Sequence, residues 1–166
     1  MIILGIDPGI ERLGWGVIKK TPSGKFIRID SGVKKTLSSQ EKGARLLEIY
    51  NFLDKLVVSQ KPLLLGIERL FFTTNAKTAI TIGEVRGVIL TVAAKYNIPA
   101  MELSPPEVKI AICGYGKANK KDVASMLKVS IDLPSRKMLD DETDALALAL
   151  TAGAIKKDIH NLAIAQ

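Results

Sequence analysis

Apolar positions in the first third of the chain fall in short runs separated by turn residues. Residues 2–7 are almost continuously apolar and stop at Pro8-Gly9, the pattern of a buried strand running into a turn. Residues 13–20, with Trp15, Val17 and Ile18, predict a second strand. Residues 26–33, where Phe26, Ile27 and Ile29 mix with polar neighbours, predict a third. The link Thr21-Pro22-Ser23-Gly24 is short and turn-rich, so strands two and three read as a hairpin. Ser38-Ser39-Gln40-Glu41 matches a helix capping box. After it, Leu46, Leu47, Ile49, Tyr50, Leu53, Leu56 and Val57 recur at helical spacing, with an end near Gln60. A strand over 63–68, a long helix over 75–96 and a strand over 98–103 follow. Ser104-Pro105-Pro106-Glu107 is a second helix start, residues 114–121 form a basic, glycine-bearing loop, short helices come next, and a last helix covers residues 140–155.

The order is βββαβαβ and then helices. Helical crossovers after strands three and four imply parallel pairing in that half of the sheet. An α/β fold follows, a mixed five-stranded sheet flanked by helices. Residues 1–155 read as one domain and residues 156–166 as a weakly patterned tail.

Two strands end alike, in Gly5-Ile6-Asp7 and Gly66-Ile67-Glu68. Each puts a carboxylate at the strand's C-terminal end and a glycine two residues earlier, on the same face. If the strands are parallel neighbours, Asp7 and Glu68 meet above a surface bare of side chains, where a helix or ligand has room to approach. Ionised carboxylates that close require a cation or a shared proton. The last helix offers Asp141 and Asp144 at i and i+3 on one face, with small Ala145, Ala147 and Ala149 behind them for close packing on a sheet. Acids at a helix start also suit the dipole alone, and acids at strand ends are often turn residues. The duplicated Gly-Ile-acid pattern favours a metal site. Four oxygen donors without His or Cys suit Mg²⁺, or Mn²⁺ in its place. Two ions about 4 Å apart would serve phosphodiester hydrolysis.

Composition sharpens this picture. Against 24 Lys and Arg stand 17 Asp and Glu, a net charge of +7, which suits a polyanionic partner such as nucleic acid. A single cysteine, Cys113, and a single histidine, His160, exclude a disulfide framework and a thiolate zinc site and nearly exclude Ser-His-Asp or Cys-His chemistry. The 11-residue run 145–155 is too short to span a bilayer, and Asp7 breaks the N-terminal apolar run too early for a signal peptide, so a cytoplasmic protein without a membrane partner is expected. Phe71 and Phe72 stand together just after Glu68, where they could stack on an unpaired base or serve as a hydrophobic staple for the long helix. Lys117, Lys120 and Lys121 suit phosphate contacts, or simply a solvated loop.

In combination and order, Gly5-Ile6-Asp7-Pro8-Gly9, Gly14-Trp15-Gly16-Val17, Ile67-Glu68 with Phe71 and Phe72, and Asp141-x-x-Asp144-Ala145-Leu146-Ala147 resemble the RuvC family of Holliday junction resolvases, over most of the chain. The resemblance implies a ribonuclease-H-like fold with strand order 3-2-1-4-5. It implies a homodimeric, Mg²⁺-dependent endonuclease that nicks a four-way DNA junction symmetrically in recombination and repair, alongside the RuvA–RuvB branch-migration machine. It also implies that Asp7, Glu68, Asp141 and Asp144 are the catalytic acids, that Lys109 and Lys120 assist them, and that Phe71 stacks at the junction. A non-catalytic junction-binding protein and an actin-like nucleotide-binding enzyme are the competing readings. The second needs more than twice this length.

Symmetric nicking requires two acidic clusters, hence a two-fold dimer. The long helix 75–96 is the expected interface. Its small face, Ala79, Gly83, Gly87 and Thr91, would lie on the sheet beneath Asp7 and Glu68, leaving Ile82, Val85, Ile89 and Val92 for a second subunit.

Overall fold

The computed structural model describes residues 1–69 and 76–156. Five strands, β1 (Ile2–Asp7), β2 (Arg12–Lys20), β3 (Phe26–Lys35), β4 (Leu64–Glu68) and β5 (Ala100–Leu103), form one sheet in the order β3-β2-β1-β4-β5. The hairpin side is antiparallel, with β1 against β2 and β2 against β3; β4 runs parallel to both β1 and β5. This is the expected sheet, with ends moved by one or two residues.

Period-two alternation sends β1 and β4 side chains to two faces. Leu4, Ile6, Leu65 and Ile67 enter one core with Val85, Ile89 and Val92 of α2 (Ala76–Lys95) and Ile49, Leu53 and Val57 of α1 (Lys42–Gln60). Ile3 and Leu64 enter the other, with α3 (Pro105–Cys113), α4 (Lys120–Ser130) and α5 (Asp140–Ile155). Gly5, Asp7, Gly66 and Glu68 share parity with Ile3 and Leu64 and so lie on the α5 face.

Glycines govern how α5 sits. A Cβ on Gly5 would lie 2.0 Å from the Ala145 carbonyl oxygen, one on Gly14 1.9 Å from that of Asp141, and one on Gly66 2.7 Å from that of Leu148. The helix backbone therefore rests directly on β1, β2 and β4. Of the two approaches the paired glycines left open, a helix takes the place.

Three local expectations change. Residues 38–41 do not cap α1. They form a turn in which the Gln40 amide bonds to the Leu37 carbonyl, and α1 starts after Glu41 with no side-chain cap. Ser104 and Glu107 do form their capping box at α3. Lys120 and Lys121 are not on a loop: Asn119 and Asp122 make a further capping box that starts α4 there. Finally, α2 lies on the sheet face opposite Asp7. Its bulky Val85, Ile89 and Val92 face the sheet and are buried within the chain, so they are not interface residues. Of the small stripe, Ala79 is buried but the rest faces outward: Gly87 and Thr91 are exposed, and nothing lies within 4 Å of where a Gly83 or Gly87 Cβ would be. Bulky side chains fill the wide gap between a helix pair and a sheet better than glycine does.

Gly5→Ala is expected to destabilise the fold by about 1–3 kcal/mol or more, because its methyl meets fixed backbone. Gly43→Ala in α1, where nothing lies within 4 Å, is expected to be neutral or stabilising by up to about 1 kcal/mol. Urea unfolding of both variants measures the contrast.

Candidate active site

The sheet and α5 bring the four expected acids to one place. Asp7 and Glu68 end adjacent parallel strands whose register pairs Gly5 with Gly66 and Ile6 with Ile67. The first turns of α5 carry Asp141 and Asp144 over the same strand ends. An open cleft of about 540 Å³ is lined by all four, with Arg12, Lys109, Lys120 and Asp140 on its walls.

Charge in this cleft is uneven. Asp7 is pushed up to about 7 from its ordinary 3.8, first by burial, then by the charges of Asp144, Glu68 and Asp141, against the opposing pull of Lys120. Glu68 is raised by burial and by Asp144, with Lys120 and Arg86 opposing. Asp144 accepts a hydrogen bond from Lys120 Nζ at 3.0 Å. Asp141 Oδ2 lies 3.2 Å from Arg12 Nε, yet this buried oxygen has no hydrogen bond. Among the described residues, no three Asp, Glu, His or Cys side chains are gathered tightly enough to hold a metal ion. The acids line a shared cleft, and two of them are engaged by bases. The donor set nonetheless fits a hard divalent cation: all oxygen, mutually repulsive, with one buried oxygen unbonded.

Of the remaining expected site residues, Lys109 and Lys120 reach the cleft, whereas Lys117 and Lys121 are exposed and do not line it. Phe71 and Phe72 lie outside the described residues.

The structure adds three residues. Arg12 begins β2 after a turn so tight that a Cβ on Gly9 would lie 2.2 Å from the Arg12 carbonyl oxygen; the turn folds Arg12 back toward the acids. Arg86, buried on α2, donates to the Glu68 carbonyl oxygen and pairs with Glu102 of β5 at 2.9 Å, tying down the end of β4. Asp122 accepts from the Asn119 amide at 2.9 Å and from the Tyr115 hydroxyl at 3.0 Å, fixing the turn that delivers Lys120. An arginine within an apolar helical stretch and an Asn-x-x-Asp cap are readable signals for the last two.

A family model for the crossover junction endodeoxyribonuclease RuvC matches residues 3–152. The chain belongs to the RuvC family. The RuvC of Ruminiclostridium cellulolyticum is 43% identical over 153 residues, covering 92% of this chain and 92% of the relative. That of Alkaliphilus metalliredigens is 45% identical over 150 residues, covering 90% and 91%. The structure of Thermus thermophilus RuvC in complex with Holliday junction substrate matches with a TM-score of 0.89 at 29% identity, covering 95% of each chain. The fold is thus that of RuvC, as the motifs imply. No helix among the described residues is long and apolar enough to cross a membrane.

The raised Asp7 sets a pH dependence. Folded Asp7 keeps its proton up to about pH 7, whereas the unfolded group loses it near 3.8. Between these values the folded state holds more protons, so this group's contribution to stability falls as pH rises. Asp7→Asn is therefore expected to raise the metal-free melting midpoint at pH 8, by about 2–4 °C for each kcal/mol relieved, and to leave it nearly unchanged at pH 3.5. Thermal melts in chelator at both pH values check this; equal shifts would contradict it.

Proposed function

We propose that this chain is a Mg²⁺-dependent endonuclease that resolves four-way DNA junctions by paired, symmetric nicks. The observation that carries the proposal is the shared cleft of Asp7, Glu68, Asp141 and Asp144 in a RuvC-family chain. The Thermus thermophilus relative in complex with Holliday junction substrate supports the choice of DNA.

In this reading the four carboxylates hold two Mg²⁺ ions, with Mn²⁺ as a substitute. Bound there, the metal would activate water and stabilise charge on the cleaved phosphodiester. The chain's own groups do the rest. Asp7 and Glu68 are fixed by strand ends, so they move little when DNA arrives. Lys120, held by the α4 cap, exchanges Asp144 for the scissile phosphate, and Arg12 exchanges Asp141 for a neighbouring phosphate. Lys109 contributes positive charge from α3. Lys117 and Lys121 hold DNA farther out, and Phe71 or Phe72 stacks on a base at the crossover. Phosphate contacts of this kind position the junction without reading sequence.

One cleft cuts one strand, so we assign the active form to a homodimer. The outward stripe of α2, with Ile80 62% exposed beside Gly83, Gly87 and Thr91, replaces the face expected from sequence. Work alongside RuvA–RuvB belongs to the same proposal.

Asp7→Asn, Glu68→Gln, Asp141→Asn and Asp144→Asn are each expected to slow cleavage of a labelled junction by roughly 100-fold or more. Junction affinity measured in chelator should stay within about threefold, since basic contacts to phosphate supply most of it. Near-normal cleavage by Asp7→Asn or Glu68→Gln would contradict the proposed metal site.

Ile80→Glu is expected to shift the chain to a monomer by sedimentation and to abolish paired nicking. An unchanged association state would remove α2 as the interface.

A further inference from the structure

The first turn of α5 carries three acids, and they part company. Asp140 and Asp141 line the cleft. Glu142 turns the other way and is 1% exposed. Both of its oxygens are occupied: Oε1 accepts from Ser31 Oγ at 2.7 Å and from Arg136 Nη2 at 2.6 Å, and Oε2 accepts from Arg136 Nη1 at 2.7 Å. Arg136 Nη2 also reaches the Ser31 carbonyl at 3.2 Å. Arg28 of β3 extends the set, donating from Nη1 to Ser31 Oγ at 3.5 Å and from Nε to the Asp132 carbonyl at 3.2 Å. The group joins β3, the segment before α5, and α5 itself.

This set stands where the helix most needs it. Leu139, at the start of α5, provides no side-chain cap. One glycine contact, Gly14 under the Asp141 carbonyl, lies in this first turn, and those that hold Ala145 and Leu148 to the sheet lie farther along. A bidentate arginine–carboxylate pair is directional, and a buried carboxylate cannot swing free of its partners. At about 100° per residue, Asp141 stands about 100° and Asp144 about 160° round the axis from Glu142. Holding Glu142 against β3 therefore turns the other two toward the cleft.

We propose that Ser31, Arg136 and Glu142 are positioning residues: a clamp on the far side of α5 that fixes its first turn and so the place of Asp141 in the cleft. The clamp rests on the cleavage reading above but makes predictions of its own. Loosening it leaves the first turn on the Gly14 contact alone, while the rest of α5 stays on Gly5 and Gly66.

Glu142→Gln keeps the shape and loses the charged pair. Ser31→Ala removes one donor and is the milder variant. For Glu142→Gln we expect cleavage at saturating junction to fall at least tenfold, with junction affinity in chelator within twofold of wild type. For Ser31→Ala we expect a two- to fivefold fall. Hydrogen exchange should quicken at the Glu142 and Thr143 amides, which bond to the Leu139 carbonyl, and stay unchanged over residues 146–153. Mn²⁺ affinity of the DNA-free protein, read by electron paramagnetic resonance, should weaken several-fold.

Wild-type cleavage by both folded variants would overturn the clamp. So would slowing that merely tracks the unfolded fraction, without a local change in exchange. If Glu142→Gln does not fold, Ser31→Ala decides alone. If the wild type cuts no junction, the cleavage reading fails, and exchange and Mn²⁺ affinity still judge the clamp: unchanged values in both variants overturn it.

Discussion

Helix α5 touches the sheet with its backbone, and the rest of the site depends on that contact. Gly5, Gly14 and Gly66 leave three adjacent strands bare at the point where the Ala145, Asp141 and Leu148 carbonyls come down. Any larger residue would lift the helix by the thickness of a side chain. The same parity that puts glycine under the helix puts Asp7 and Glu68 at the strand ends facing it. Close packing and the meeting of four acids are thus one structural event. The opposite face shows the ordinary alternative, in which Val85, Ile89 and Val92 space α2 from the sheet.

Bringing the acids together has an electrostatic cost, visible in the raised Asp7 and Glu68. The fold meets it locally. Lys120 pairs with Asp144, and Arg12 lies beside Asp141. Both are side chains from outside the acids' own elements, each delivered by a turn with its own reason to form: the Gly9 turn for Arg12, the Asn119–Asp122 cap for Lys120. A cleft that is acidic at its floor and basic at its walls suits the cutting of a phosphodiester: cations belong at the floor and phosphates at the walls.

Much of this was legible in the sequence, for identifiable reasons. Strands announce their faces with period two, so the Gly-Ile-acid repeat placed Asp7 and Glu68 correctly once parallel pairing was inferred from the crossover. The α5 acids followed from helical spacing. The capping box at Ser104 was read correctly and the one at Ser38 was not, because the same four-residue pattern also suits a turn, and only the chain's approach to α1 decides between them. The orientation of α2 was misread: an all-round apolar helix offers several faces, and gap width, a tertiary quantity, selects among them. Lys117 and Lys121 look like Lys120 in sequence, but only the last has the helical position that reaches the acids. Arg12 meets Asp141, Arg86 meets the Glu68 carbonyl and Glu142 meets Ser31, all partners distant in the chain, which local pattern does not carry.

The proposed divalent-metal centre is formed by the acids that α5 and the two strand ends bring to the cleft. The most direct test is a crystal of the protein with Mn²⁺ and a junction whose scissile linkages resist hydrolysis, measured at the manganese absorption edge. Anomalous peaks are expected in the cleft within bonding distance of Asp7, with Glu68, Asp141 and Asp144 as the other protein ligands, and with Lys120 turned from Asp144 to a phosphate. Well-ordered DNA in the cleft with no anomalous peak there, or with manganese bound only elsewhere, would contradict the proposed centre.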